Sequence, residues 1–247
     1  MAIEIGQVEA IFRYPVKSMA GERRDAAELG WHGLAGDRRL ALRRIADRGG
    51  FPWLSAGELP ELVRFVPQGP PGAGETDLPT HVRTPEGEEL PIFGDELAAD
   101  IGRRHGAPVQ MMQLRQGIFD QASISVITTD TVGEIARLAA LEPDVRQFRP
   151  NFLVRLLRLA PFQEDQWVGR SLSFGHETEA PTVAVTMRDL RCSMVNLDPD
   201  SAHPAPAVLK AIGRVNEANA GIYAVVTRTG RVSVGDPVLL HDPTGSW

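Results

Sequence analysis

The 247-residue sequence contains a single cysteine, Cys192. No disulfide can close within such a chain, so packing alone holds the fold and the thiol suits a reducing compartment. A conventional iron–sulfur cluster, which takes about four thiolates, is excluded on the same ground. Any redox chemistry would draw its electrons from a separate protein. Long apolar runs are also missing: none approaches the roughly 20 residues that span a bilayer. The first residues, with Glu4 and Gly6 among the apolar ones, lack the pattern of a secretory signal. A cytoplasmic protein with no membrane association is expected. Positive charge is in deficit, 26 Lys and Arg against 32 Asp and Glu for a net charge of −6. That argues against a nucleic-acid partner, which requires an excess of positive surface. The six histidines, His32, His81, His105, His176, His203 and His241, include no pair at the spacing of zinc ligands. No Gly-x-Ser-x-Gly elbow, Walker-type loop, internal repeat or low-complexity tract occurs.

What remains is an ordinary globular composition, 43% hydrophobic and 23% charged, at a length that suits one or two domains, and two are expected. Alternation of Ile3, Ile5, Val8, Ala10 and Phe12 predicts a strand broken at Tyr14-Pro15, and a second apolar segment covers Arg38 to Leu42. Between them Gly21, Gly30, Gly33 and Gly36 permit tight turns and positive φ. Further strands are expected at Val63–Val66, His81–Thr84, Leu90–Phe93 and Val109–Leu114, with a hairpin turn at Pro85-Glu86-Gly87-Glu88. The Gly- and Pro-rich stretch Gln68–Pro79 reads as an exposed loop. Asp95 is the expected N-cap of a helix with Leu97, Ala98 and Ile101 on one face, ending near Gly106. A polar segment, Gln116–Gln121, places a boundary near residue 115.

Beyond it, Ser123–Thr128 reads as a strand, and Thr129-Asp130 caps a helix through Val132, Ile135, Leu138 and Ala139. Strands follow at Phe152–Leu157, Ser171–Phe174 and Val183–Met187. Pro204–Ile212 has helical content. Ile222–Thr227, a turn at Thr229-Gly230, and Val232, Val234 and Val238–Leu240 complete the chain. Strands outnumber helices about three to one on this periodicity.

Cys192 is the first candidate for chemistry, because a thiolate is both a soft metal ligand and a strong nucleophile. Arg188 and Arg191 lie nearby in sequence and would favour the thiolate. A buried structural cysteine fits the same composition. Tyr14-Pro15-Val16-Lys17-Ser18 sets a cation and a hydroxyl on a bend that suits an oxyanion or a solvated strand end. Gly36-Asp37-Arg38 and Arg149-Pro150-Asn151 each place an arginine near a turn, again suiting either an anion or solvent.

Taken in order, these segments resemble a known family. Ile11 through Ser18, followed by Gly36-Asp37-Arg38-Arg39, is similar to the N-terminal β-barrel domain that precedes a MOSC domain. Phe148-Arg149-Pro150-Asn151-Phe152, Arg191-Cys192 with Asp198-Pro199-Asp200, and Val234-Gly235-Asp236-Pro237-Val238 resemble the MOSC domain itself. The resemblance covers nearly the whole chain. It implies an α+β, β-rich fold in which an N-terminal β-barrel-like domain, residues 1–115, packs on a MOSC-type β-barrel domain, residues 116–247, with a few helices.

The nearest likeness is to the mitochondrial amidoxime-reducing components and their bacterial counterparts. It implies a molybdenum–molybdopterin cofactor with Cys192 as metal ligand and catalytic residue. Lys17, Ser18 and Arg38 would hold the phosphate end, and Ser123, Arg149, Asn151, Arg191 and Tyr223 the rest. Family membership also carries an association with pyridoxal phosphate binding. The implied activity is reduction of N-hydroxylated small molecules, with electrons from a separate ferredoxin, flavoprotein or cytochrome. Residue types agree with such a ligand, whose phosphate, pterin and sulfur pair need cations at one end and hydroxyl and amide partners in the middle.

Neither the C-terminal ferredoxin domain of some bacterial relatives nor the N-terminal membrane anchor of the mitochondrial proteins is expected in this protein. The sequence has Ser201-Ala202-His203 where Thr-Gly commonly follows Asp-Pro-Asp. Two alternatives to the enzyme stay open: a carrier of persulfide sulfur on Cys192, and a carrier of the molybdenum cofactor.

Overall fold

In the computed structural model, residues 2–69, 77–117 and 119–242 are described. Most of the expected loop Gln68–Pro79 and one residue of Gln116–Gln121 lie outside them. The strands in chain order are β1 (Ala2–Arg13), β2 (Glu22–Arg24), β3 (Ala26–Gly30), β4 (Gly33–Leu34), β5 (Leu40–Arg44), β6 (Val66–Gln68), β7 (His81–Arg83), β8 (Glu89–Pro91) and β9 (Val109–Gln113). They continue as β10 (Ile124–Thr128), β11 (Phe152–Leu156), β12 (Ser171–Phe174), β13 (Thr182–Leu190), β14 (Asn219–Arg228), β15 (Gly230–Ser233) and β16 (Pro237–His241). The helices are α1 (Asp95–His105), α2 (Thr129–Ala139) and α3 (Ala207–Asn216).

The main sheet runs β11-β10-β14-β13-β12-β16-β1-β2, and an additional β11–β1 pairing closes its first seven strands into a barrel. All neighbours are antiparallel except β10 and β11. A parallel pair cannot be joined by a tight turn, and α2 lies in the crossover between them. The barrel interior is filled by Val8, Ile11, Val126, Phe152, Trp167 and Phe174 among others. Burying side chains of this size contributes about 1.5–3 kcal/mol each. Strand β1 serves two cores because its register shifts between Val8 and Ala10. One inserted residue exchanges the faces of a strand. Val8 and Ile11 therefore enter the barrel, while Ala10, Phe12 and Tyr14 form a separate cluster outside it. Both sides of residue 115 contribute to the closed sheet, since β1 pairs with β11 and β16.

The second lobe gathers the antiparallel pair β5–β9, the three-stranded sheet β6-β7-β8 and helix α1. Leu40, Leu42, Leu62, Phe65, Leu97 and Ile101 belong to its core. The hairpin expected at 85–88 is present, closed by Gly87 N donating to the Thr84 carbonyl at 2.9 Å with Gly87 at φ +94°.

Four local expectations differ. Val63 and its predecessors form a 3-10 turn over Pro60–Arg64 and the strand begins only at Val66. Pro60 at the turn start needs no amide donor. Gly94 occupies the cap of α1 and Asp95 is its first residue, so the carboxylate acts at the positive end of the helix without a capping bond. Thr128 caps α2, its hydroxyl accepting from Thr131 N at 3.2 Å. Helix α3 starts at Ala207, after both prolines, with Pro206 as its cap.

Candidate functional site

Pro15 ends β1, and the backbone that follows turns toward β5: Lys17 N donates to the Leu40 carbonyl at 2.8 Å and Arg38 N to the Tyr14 carbonyl at 2.7 Å. These bonds bring the Lys17-Ser18 bend and the Asp37-Arg38 turn side by side. The turn before β11 arrives from the barrel, where Arg38 Nη2 donates to the Arg149 carbonyl at 3.0 Å and Arg149 Nη1 to the Met19 carbonyl at 2.6 Å. Below them Asp37, fully buried, accepts from Tyr14 N at 2.6 Å and from Asn151 Nδ2 at 3.1 Å, and is ion-paired to Arg38.

The result is a cleft of about 440 Å³ between the lobes. Its walls bring together Lys17, Ser18, Arg38, Arg149, Arg191 and Cys192, with Tyr223 also lining it. These seven were singled out from sequence segments up to about two hundred residues apart. Asn151 sits beneath the cleft, fully buried, its Oδ1 accepting from Ser125 N at 3.0 Å. Ser123 does not line the cleft. It packs instead against Gly33, where an added Cβ would come within 2.9 Å of the Ser123 carbonyl oxygen. The hydroxyl in the cleft wall is that of Ser125, bonded to Asp189 Oδ2 at 3.1 Å. Asp37, Asp189, Asp120 and Ser125 were not among the expected site residues. A usable signal existed for one of them, because Ser125 interrupts the apolar run Ile124 to Ile127.

Backbone conformation sets this region apart. Ser18, Arg38 and Arg149 have φ of +68°, +48° and +51°, and they are three of the eight positive-φ residues other than glycine among the described residues. Each such conformation costs about 1–3 kcal/mol and survives where surrounding contacts over-determine it, often at ligand sites. Gly221, at φ +82°, completes the cradle: a Cβ there would fall 2.6 Å from the Val126 carbonyl oxygen and 3.2 Å from Arg191 Nη2.

The electrostatics are unbalanced. Lys17 Nζ donates to Asp120 Oδ1 at 2.5 Å, and burial still lowers the lysine from its usual value against the pull of that carboxylate. Arg38 is held above its usual value: burial alone would lower it, and Asp37 outweighs burial. Arg149 has no carboxylate in ion-pair range among the described residues. Burial, with the charge of Arg38 added, pushes its guanidinium down to about 10. Its charge is eased by the Tyr14 ring, whose centroid lies 4.2 Å from the guanidinium carbon. Arg191 donates to the Ala220 and Phe148 carbonyls, each at 2.7 Å, and pairs with Asp189 at 2.8 Å. Its Nη2 is buried and makes no hydrogen bond of good geometry. Burial raises the Asp189 carboxyl, with Arg191 opposing. The cleft therefore holds more buried positive charge than its own carboxylates neutralise. Cys192, exposed, stands at its edge as the residue before a 3-10 turn over Ser193–Asn196.

Such a site can bind an extended anion and present a thiol to it. The MOSC domain model matches residues 101–239, and the MOSC N-terminal beta barrel domain model matches residues 5–132. No curated protein matches the chain. Among solved structures, the crystal structure of the YUAD protein from Bacillus subtilis is similar over 98% of both chains, at 14% identity and a TM-score of 0.54. That likeness concerns the fold. YiiM from Geobacillus stearothermophilus matches 49% of this chain and 54% of its own, at 18% identity and a TM-score of 0.38. No helix among the described residues is long and apolar enough to cross a membrane.

Proposed function

Because the chain belongs to the MOSC family, with a MOSC domain preceded by the MOSC N-terminal β-barrel domain, we propose that it is a molybdenum-cofactor-dependent oxidoreductase acting on N-hydroxylated small molecules. The observation that carries this reading is the surplus of buried cations at Lys17, Arg38 and Arg149, converging on the cleft that exposes the chain's one thiol. A dianionic phosphate supplies the missing negative charge, and charge-assisted bonds from guanidinium and ammonium groups are the strong ones. The donor set thus fits molybdopterin: cations for a phosphate, the Ser125 hydroxyl and Tyr223 for a pterin, and a soft sulfur ligand for the metal.

In this reading Lys17 gives up Asp120, 64% exposed and free to turn to solvent, in favour of the phosphate. Ser18 and Arg38 lie beside it, with Arg38 aimed by Asp37. Arg149 and Arg191 hold the middle of the ligand, each fixed by its bonds to backbone carbonyls. Asn151 acts from below by fixing Ser125 and Asp37. Ser125 takes the part expected of Ser123. Cys192 would ligate the metal as a thiolate. When bound, the cofactor supplies a metal centre able to remove oxygen from an N–O group in a two-electron reduction. The mouth of the cleft carries Phe51 and Leu190, 47% and 68% exposed, which suit a substrate with an apolar body. Electrons come from a separate redox protein, and the setting is cytoplasmic.

Metal analysis with cofactor extraction on protein from a cofactor-competent host tests the proposal. About one molybdenum per chain is expected, and Cys192→Ala should abolish amidoxime reduction while its far-ultraviolet circular dichroism spectrum overlays that of the parent. A persulfide on Cys192 with no pterin recovered would instead make the chain a sulfur carrier. Reversible cofactor binding without turnover with any donor would make it a cofactor carrier.

A further inference from the structure

A second and larger cleft, about 820 Å³, opens on the other side of the Arg149 segment. One wall is the second lobe, with Val63, Arg64 and Val66 at the 3-10 turn and β6, and Arg83, Thr84, Pro85 and Gly87 at the β7–β8 hairpin. The other wall includes Asp144, Arg146 and Leu197 from the barrel side. Cys192 does not line it; Gln147, Arg149 and Met194 line both clefts and form the partition.

Its charge runs opposite to that of the molecule. Five guanidiniums, those of Arg23, Arg64, Arg83, Arg146 and Arg149, face two carboxylates, Asp144 and Asp200. Both carboxylates are already taken up by Arg146, at 2.7 Å each. Arg64 and Arg83 have no hydrogen bond or ion pair from their side chains among the described residues. In a protein of net charge −6, such a surplus concentrated in one concavity favours an anion.

An independent observation points the same way. The Tyr14 hydroxyl is buried, the residue being 2% exposed, and it has no hydrogen-bond partner among the described residues. Its ring edge lies against Gly21, where a Cβ would meet Cε1 at 2.3 Å and Cζ at 3.0 Å, and Gly21 lines the larger cleft. Tyr14 itself lines that cleft, so the unpaired hydroxyl lies just beneath its wall, within reach of a ligand once the ring turns slightly. Leaving it unmatched costs about 1–3 kcal/mol. Phe12, Val63, Val66 and Leu197 make the remaining surface apolar.

We infer that this cleft is a second binding site, separate from the thiol cleft, for an organic anion with an apolar body. The acidic group of the ligand pairs with Arg64 and Arg83, an acceptor on it takes the Tyr14 hydroxyl, and its body covers Phe12 and Leu197. The occupant touches Arg149, which both clefts share, but not Cys192, so its role is that of an effector and not of the reduced substrate.

The test uses the fluorescent anion 8-anilinonaphthalene-1-sulfonate on the purified holo chain. The neutral N-phenyl-1-naphthylamine serves as its comparison. One saturable sulfonate site per chain is expected, weakened at least tenfold by Arg64→Glu and by Arg83→Glu, and unchanged by Lys17→Ala. The neutral compound should bind at least tenfold more weakly. Melting curves of the two arginine variants should overlay the parent, since neither side chain has a partner to lose. Affinity unmoved in both arginine variants, affinity lost in Lys17→Ala, or equal binding of the neutral compound would each overturn the inference. None of these readouts is turnover, and Arg64 and Arg83 lie outside the thiol cleft, so a failure here leaves the reading of that cleft to its own test.

Discussion

Asp37→Ala removes the carboxylate on which the thiol cleft is built, and its effect can be worked through contact by contact. Asp37 is fully buried and accepts from Tyr14 N at 2.6 Å and Asn151 Nδ2 at 3.1 Å, besides pairing with Arg38. Alanine leaves the Tyr14 amide without its acceptor, at about 1–3 kcal/mol. It also strips the counter-ion from Arg38, whose side chain is only 16% exposed. Breaking a buried pair by deleting one partner costs about 3–5 kcal/mol. The contributions overlap because they share one group, so a total of about 4–5 kcal/mol is expected. Against a domain stability of about 5–15 kcal/mol, that is a large fraction.

At about 2–4 °C per kcal/mol for a chain of this size, the melting temperature of Asp37→Ala should fall by about 8–20 °C. Asp37→Asn keeps the volume and one acceptor and loses only the charge, so about half that drop is expected. Thermal unfolding followed by circular dichroism reads both, and a repeat at about 1 M salt should leave the difference standing, since buried pairs are screened little. An Asp37→Ala protein melting within about 3 °C of the parent would refute the reasoning. The carboxylate would then be dispensable to the fold, and the motif Gly36-Asp37-Arg38 would need another account.

Glu164 gives a prediction in pH. It is fully buried, and burial raises its carboxyl above the usual glutamate range, against hydrogen bonds from Thr131 and Thr128. A carboxyl raised by folding favours the folded state below its unfolded value and loses that contribution as pH rises through the folded one. Glu164→Gln should therefore raise the melting temperature at pH 7–8, by an advantage that shrinks as pH falls and vanishes below about pH 4.5. An advantage independent of pH would remove titration as the cause. Gly221→Ala places a methyl 2.6 Å from the Val126 carbonyl oxygen at a φ of +82°. Strain at such a φ and overpacking each cost about 1–3 kcal/mol, so a loss of about 2–5 kcal/mol in urea unfolding is expected, with a weaker hold of Arg191 on the cleft. Retention of full stability would mean that the backbone there moves freely.

Period-two alternation made β1, β11, β12 and β14 legible in the sequence, because each shows one face to the barrel core. The same rule failed where both faces are buried. All five residues of β10 are buried, so alternation carries no signal there; Ser123 was expected through the family resemblance, whereas Ser125 stands in the cleft wall. Val63 reads as the start of a strand by composition, yet it lies in the 3-10 turn that Pro60 starts. The short strands β2 to β4 lie in a glycine-rich stretch that signals only turns. Cations of the cleft were recognisable because each sits in a recurring local motif. The buried acids that aim them were not, since Asp37 and Asp189 act through contacts 114 and 64 residues away. Long-range pairing of that kind leaves no local periodic trace.

The two kinds of residue also differ in what they do for the fold. Asp37, Asn151 and Ser125 form bonds that close between buried partners, and a cluster made only of these would stabilise the lobe junction. Lys17, Arg38 and Arg149 do the reverse. Burial lowers Lys17 and Arg149, and Arg38 opposes the charge of both. Ser18, Arg38 and Arg149 also hold left-handed backbone conformations. A sequence selected for stability alone would exchange Arg149 for an apolar residue, as replacement of uncompensated buried charge is often stabilising. Local conflict of this kind, surrounded by well-satisfied structure, marks a functional site. An anion that ends the repulsion also binds the folded chain and not the unfolded one, so it adds stability that grows as the logarithm of one plus the ratio of its free concentration to its dissociation constant. The junction between the lobes is thus weakest without its ligand, which couples retention of the cofactor to the integrity of the whole fold.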